Sequence, residues 1–368
     1  MPFRVQKTGF KFPFKVEDHV AVTWKNTTIV WGGYDENTST SLSVVHCHQS
    51  GEWTKRESGG DIPCEAYEAT AEVIHDAMFV LGAFPGPVHS LDLNSWTWTR
   101  ISPGGDPPEG YTWNMTSWVY RDKIFCFGGE HSYRDEQTNQ LICYNTNSNT
   151  WEWPDQEGDI PSPRVGHAAT ISGDTAFVFG GVGEDVQKYN DLHILDMLTM
   201  RWKKVHGNLP GLEISMGVYT LTRVSESAAV LYGHSYFMYG QSPIFLVLDL
   251  HKAKHLSDPS SIWTRIPNPH PRFRHASVIE PVSQRLWIIG GNDGQHITSD
   301  ILEIPIRISI SLRDLAIGCA VQSIPSDDSR LEPGRYPKRL RDEIEEYRSR
   351  WGGPASKKLK SASAQAGL

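Results

Sequence analysis

His19, His167 and His275 are the side chains best suited to acid–base or metal chemistry, and their spacing argues against it. Each sits at the same place in a repeated unit, just ahead of a short apolar stretch. Recurrence at one position points to a structural hydrogen bond, whereas catalysis needs groups that converge in one pocket. No H-E-x-x-H or H-x-x-E-H pattern occurs, nor any Tyr, Cys and His grouping at copper-enzyme spacing. The five cysteines (47, 64, 126, 143 and 319) form no C-x-x-C pair and read as reduced, mostly packed thiols. The sequence therefore predicts no catalytic residue, no metal site and no cofactor. The chemistry it offers is recognition.

The elements that would position recognition residues are repeats. Apolar residues run into paired glycines at Val30-Trp31-Gly32-Gly33, Cys126-Phe127-Gly128-Gly129, Val178-Phe179-Gly180-Gly181 and Ile288-Ile289-Gly290-Gly291. Worn copies stand at Val80-Leu81-Gly82-Ala83 and Val230-Leu231-Tyr232-Gly233. The period is about fifty residues. A six-residue step links Cys47 to Trp53, Asp92 to Trp98, Asn145 to Trp151 and Asp196 to Trp202; in the fifth copy Lys252 to Ser261 is inserted between Asp249 and Trp263. Each copy predicts four strands, as in Arg164–Ile171, Thr175–Phe179, Leu192–Leu195 and a last one opened by Trp202. Such a unit is too small to stand alone, so the copies must stack around an axis and bury both faces of their inner strands. The glycines permit positive φ, and the Trp fills the space between neighbours. Over residues 15–308 the chain resembles the kelch family, and the fold implied is all-β, a six-bladed propeller.

The sixth copy has strands near His275–Ile279, Leu286–Ile289 and Asp300–Ile304 but no Trp-led fourth. Residues 1–14 precede the first copy's own initial strand, and they are predicted to supply the missing one, removing an exposed edge. Composition agrees with a large core: 39% of the 368 residues are hydrophobic, with 13 Trp. A net charge of −8 excludes the basic face of a nucleic-acid binder. No apolar run reaches a membrane span and the first sixteen residues lack a signal-peptide centre, so the reading is cytoplasmic or nuclear, without nucleic-acid or membrane partners.

Propellers bind partners over the axial mouth through loops. After the glycines these loops carry Tyr34, Phe84, His131, Tyr133, Arg134, Glu184, Asp185, Lys188, His234 and Asn292. Turns entering the first strands carry Tyr111, Trp113, Arg164, Arg272 and Arg274. The ligand such a rim predicts is a target protein or peptide.

Beyond the last copy, Leu312, Leu315, Ala316, Cys319 and Ala320 form one helical stripe, with Ser311 as N-cap. A second helix begins at Tyr336-Pro337 and aligns Leu340, Ile344, Tyr347 and Trp351. Residues 309–352 thus read as helical, and 353–368 as a tail too polar to fold alone. Ser-Leu-x-x-Leu-Ala-x-x-x-Ala resembles the elongin-binding box of ubiquitin-ligase receptors, with Ala316 where that family prefers Cys. Tyr336-Pro337-x-x-Leu340-x-x-x-Ile344 is similar to the cullin-2 box downstream of it. In this order after a kelch propeller they resemble the kelch-domain-containing substrate receptors of cullin-2 ligases. With fewer than twenty residues ahead of the first copy, the recruiting element is expected on the C-terminal side.

That resemblance implies a non-catalytic adaptor, with elongin B/C and cullin-2 as partners and a mouth that reads the C-terminus of a target. Arg164 and Arg272 or Arg274 would hold the carboxylate. Members that read a diglycine end carry basic residues directly after the fourth Gly-Gly. Here Val182-Gly183-Glu184-Asp185 stands there, followed only by Lys188, so another terminal sequence, an internal motif or a more basic target is expected. The alternative is a kelch interaction scaffold for cytoskeletal or signalling proteins, its terminal helices merely capping the propeller.

Overall fold

Each Gly-Gly run becomes the second strand of a four-stranded antiparallel blade. The computed structural model describes residues 5–306 apart from 36–39, 42, 65–68, 83–87, 109–111, 132–135, 207–218, 235–243, 256–257 and 268–269. From the axis outward, blade 1 is Val20–Trp24, Thr27–Trp31, Val45–Gln49 and Glu52–Arg56. Blade 2 is Thr70–Ile74, Ala77–Leu81, Val88–Asp92 and Thr97–Ile101; blade 3 is Thr116–Tyr120, Lys123–Phe127, Leu141–Asn145 and Thr150–Glu152. Blade 4 is Ala168–Ser172, Thr175–Val182, Lys188–Asp196 and Arg201–His206. Blade 5 is Thr220–Ser225, Ala228–Gly233, Ile244–Asp249 and Trp263–Arg265. The six inner strands lie side by side in a closed ring, blade 6 returning to blade 1. The protein is a six-bladed propeller.

Blade 6 takes Ala276–Glu280, Arg285–Ile289 and Asp300–Pro305, and its outer strand is Gln6–Lys11 from the far end of the sequence. Gln6 pairs with Glu303 and Lys7 with Leu302, and the Lys7 ammonium donates to Asp300 at 2.6 Å across the same seam. One residue further along this register, buried Val5 falls opposite Ile304, the place Trp202 holds opposite Leu195 in blade 4. A valine thus stands where the sixth Trp is missing.

The other outer-strand Trp residues lock blade to blade. Trp98 packs on Trp31 of blade 1 (ring centroids 5.3 Å), Trp202 on Phe127 of blade 3 (4.9 Å) and Trp263 on Phe179 of blade 4 (5.0 Å). Trp53 completes the circle against Phe12 at 5.0 Å and Trp287 at 6.5 Å. Trp98 and Trp202, 1% and 2% exposed, each contribute roughly 4–6 kcal/mol of burial.

A second repeated signal lies in the linkers, and the Gly-Gly reading passed over it. Gly60-Asp61-Ile62-Pro63, Gly105-Asp106-Pro107-Pro108 and Gly158-Asp159-Ile160-Pro161 occupy equivalent places. In each the chain runs outside the blade it is about to build and pairs in parallel with that blade's last strand: Gly59–Gly60 on blade 2, Gly104 on blade 3, Glu157–Gly158 on blade 4. Gly158 has φ +81, and a Cβ there would collide with the Trp202 carbonyl, so only Gly fits. The inserted segment of blade 5 is two short helices, Leu250–His255 and Pro259–Ile262, where the sequence suggested only an insertion.

Candidate ligand-binding mouth

The glycine pairs all lie at one end of the ring because the incoming segment of each blade crosses over them. Gly181 has φ +100, and a Cβ on it would sit 2.9 Å from both Val165 O and His167 Cβ. Close approach fixes the glycine there, and the histidine beneath it ties blade to blade. His167 Nε2 lies 2.8 Å from Thr116 Oγ1 and 3.1 Å from Phe127 O, both in blade 3. His275 Nε2 makes the same contact with Thr220 Oγ1 at 2.9 Å. Burial lowers His167 and His275 to about 3 and His19 to about 4, so all three are neutral.

Above this layer the loops rise as short ribbons. Val16–Glu17, Tyr34–Asp35 and Thr40–Ser41 make one; Thr112–Trp113, Glu130–His131 and Glu136–Gln137 make another. Blade 4 extends its own hairpin, with Val182 opposite Lys188 and bridged to Val165, and blade 6 bridges Phe273, Asn292 and Ile297. Between them opens a central channel of 580 Å³, walled by the six inner strands. Its rim carries Asp18, Asn114, Gly166 and Arg274, ahead of the inner strands of blades 1, 3, 4 and 6, each with positive φ (54°, 53°, 60° and 54°). An arginine in this left-handed region costs about 1–2 kcal/mol. Arg274 Nη1 is held by Asp18 Oδ2 at 3.1 Å and Glu17 Oε1 at 3.3 Å across the blade 6–blade 1 seam, yet its side chain stays 40% exposed.

A family model described as the KLHDC2/KLHL20/DRC7 Kelch-repeats domain matches residues 18–240. The chain belongs to this kelch-repeat family. Kelch domain-containing protein 2 of Bos taurus is 27% identical over 263 residues, covering 60% of this chain and 63% of that protein. Acyl-CoA-binding domain-containing protein 4 of Arabidopsis thaliana is 26% identical over 323 residues, 80% of this chain and 46% of that one. The chain spans less than two thirds of the length of either relative. The solved structure of YjhT shares the fold, with a TM-score of 0.63 at 12% identity over 81% of this chain and 97% of that one. Membership of this family supports a protein-interaction role for the propeller.

Within the kelch mouth the three arginines part company. Arg164 turns inward: Nε donates to Ser162 O at 2.9 Å, and Nη1 to Gly180 O at 2.8 Å and to Asp191 Oδ1 at 2.9 Å. Its side chain is 1% exposed and stacks on Tyr189 at 4.4 Å, so the fork expected to hold a ligand carboxylate holds a carboxylate of its own chain. Arg272 is buried as well, with Nη1 donating to Pro271 O at 2.7 Å and Nη2 lying 3.7 Å from Asp300. Only Arg274 remains at the rim.

Tyr34 and Lys188 are exposed there, His131 and Asn292 half-buried, and Trp113 pairs its backbone with Glu130. Glu184–Val186 forms an exposed turn in which Asp185 and Val186 both have positive φ, and Val186 is 58% exposed. Tyr111, Tyr133 and Arg134 lie outside the described residues. So do Ser311, Leu312, Leu315, Ala316, Cys319 and Ala320 of the elongin-box reading, and Tyr336, Pro337, Leu340 and Ile344 of the cullin-box reading.

One acidic side chain stands within the channel wall, and no sequence pattern marked it. Glu72 takes the middle of the blade 2 inner strand, where the other blades place Val22, Trp118, Thr170, Thr222 and Val278. Ser117 Oγ donates to it at 2.8 Å, but burial outweighs that bond and pushes the carboxyl up to about 7. The folded protein therefore holds a proton that the unfolded chain releases near pH 4.5, and stability falls as pH rises from there to about 7. Glu72→Gln is expected to abolish that decline, gaining on the order of 2 kcal/mol over wild type at pH 8 but little at pH 4.5. Urea titrations of both proteins across that range check it.

Three of the described thiols are buried and inert, burial raising Cys47 to about 11, Cys143 to about 12 and Cys126 further still, whereas Cys64 is exposed. Among the described residues no group of three or more His, Cys, Asp or Glu could hold a metal ion, and no helix is long and apolar enough to cross a membrane.

Proposed function

We propose that this protein is the substrate-recognition subunit of a cullin-2-type ubiquitin ligase. The mouth engages a segment of a target protein, and residues 309–352 bring that target to elongin C and cullin-2. The adaptor itself is non-catalytic. The observation that carries the mouth reading is Arg274: a strained, half-exposed cation, held at the channel rim by two carboxylates that a ligand carboxylate or carbonyl can replace. Glu130 and Glu136 on the blade 3 loops, Glu184 and Asp185 on blade 4 and Asp293 on blade 6 add acids to the loops at the same end of the ring, so the target segment favoured is one with basic residues around its acceptor. The ligase reading is supported by the order of the two boxes after a kelch propeller.

The test is a pull-down of the tagged chain from cells, probed for elongins B and C and cullin-2 beside a Leu312→Asp, Leu315→Asp variant. Wild type should retain elongin and the variant should lose at least roughly tenfold, since a charge replaces each anchoring Leu in an apolar groove. Wild type without elongin would leave an interaction scaffold only. Equal retention by the variant would move the contact away from 311–320.

A further inference from the structure

The acid in the channel wall does nothing that a neutral side chain could not do for the fold. Glu72 holds the third place of the blade 2 inner strand and Ser117 the second place of the blade 3 inner strand, and Thr70 Oγ1 also meets Ser117 Oγ. Thr222 and Ser277 hold the same two places in blades 5 and 6, and their hydroxyls meet at 2.5 Å. A hydroxyl therefore closes an equivalent seam. Ionised Glu72 works against the fold instead, and a group that costs stability inside a cavity marks a binding site.

The channel leaves that charge open to a ligand. Ala21, Ala71, Ala169 and Gly166 line the wall, so the space reaches Glu72, which is only half-buried. One carboxylate oxygen accepts from Ser117, and the other has no donor among the described residues. The remaining charges of the described wall are matched: Arg274 lies against Asp18 and Glu17, and Arg223 against Glu226 at 2.5 Å. His19, His167 and His275 are neutral. Val278, the counterpart of Glu72 in blade 6, is four residues past Arg274, which puts Glu72 at most roughly 13 Å below the rim.

We infer that Glu72 is the counter-charge for a lysine ammonium of the target segment, which descends the channel while the segment's acceptor meets Arg274. This sharpens the mouth reading and rests on it. Lysine fits better than arginine. A guanidinium seeks both oxygens of a carboxylate, and Ser117 already takes one. An ammonium is a compact charge on a slender stem that can pass alanine walls, and acids on the surrounding loops draw it in. Charged and titratable groups on the strands packed against Glu72 do not compete for it. Lys123 pairs with Glu152 at 2.5 Å, the Tyr120 hydroxyl donates to Asp174 at 2.7 Å, and Cys126 is a neutral thiol. Ammonium uptake favours the ionised carboxyl and releases its proton. Affinity should therefore hold above pH 7 and fall below it by about tenfold per pH unit.

The probe is n-butylammonium, the lysine side chain alone, titrated into the full chain with carbon-13-labelled glutamate carboxyls and followed by NMR. The Glu72 signal, identified by its loss in Glu72→Gln, should titrate at about 7 in the free protein and at least about one pH unit lower at saturation. Glu72→Gln should weaken binding at least roughly tenfold. No saturable binding up to about 50 mM overturns the site. So does an equal response to sodium chloride at matched ionic strength, or equal binding by n-butylguanidinium. Binding weakened by Asp18→Asn and not by Glu72→Gln would put the cation at the rim and overturn it too. A random peptide library then separates this inference from the mouth reading. Segments selected by wild type should be enriched in Lys, and selection by Glu72→Gln should lose that preference. Enrichment without Lys overturns the channel site and leaves the mouth standing. No selected segment, with n-butylammonium still bound at Glu72, overturns the mouth reading and with it the lysine of a target.

Discussion

Removing residues 1–14 is expected to lower the melting temperature by at least roughly 10 °C. The deletion strips the outer strand from blade 6, together with buried Val5 and Phe12. It also uncovers Trp53 and Trp287, which Phe12 helps close over. Losing one buried Phe costs about 3–5 kcal/mol, and the bare edge of Asp300–Pro305 adds to that. Calorimetry on the truncated chain measures the sum, and Phe12→Ala isolates the packing share. An unchanged melting temperature would mean the ring stays shut without its clasp.

Arg164→Met is the second large expectation. It leaves Asp191, 5% exposed, without the guanidinium that sits 2.9 Å away, and breaking such a pair costs about 3–5 kcal/mol. Burial alone would raise the Asp191 carboxyl, but the hydrogen bond and charge of Arg164 win and hold it below the ordinary value. The contribution is therefore present above the unfolded carboxyl's pKa, near 4, and lost as pH falls through the lower folded value. The mutational cost should shrink in the same window. Arg164→Met with Asp191→Leu should recover most of the loss, because both desolvated charges go together. Denaturant titration of the cycle decides it. If Arg164→Met keeps full stability and loses only target binding, the arginine faces the ligand after all.

These two sites show what a sequence can and cannot disclose. The Gly-Gly runs and the six-residue step to Trp are local patterns tied to backbone conformation and interblade packing, so they can be read from one strand at a time. Six blades follow from them. The direction of Arg164 cannot be read that way, because its partner Asp191 lies on another strand and only the folded blade brings them together. Arg272 is hidden for the same reason. Glu72 looks like a polar strand residue until its neighbours prove to be Ser117 and the walls of a channel. The Gly-Asp-x-Pro linkers were legible in principle: they recur at the blade period, but their meaning depends on a parallel pairing that no hairpin logic suggests. Of the rim residues, Arg274 could be proposed from its turn, though not its left-handed backbone or the two acids that hold it.

The pairing of Gln6 with Glu303 also sets a schedule for synthesis. A chain emerging from the ribosome at about 5–20 residues per second offers its first strand roughly 15–60 s before the partner strand exists. Through that interval blades 1 to 5 can stack as an open arc, with Trp53 and the faces of both end blades wet. The arc is the state that chaperones would meet, and closure is a single late event joining the oldest and newest parts of the ring.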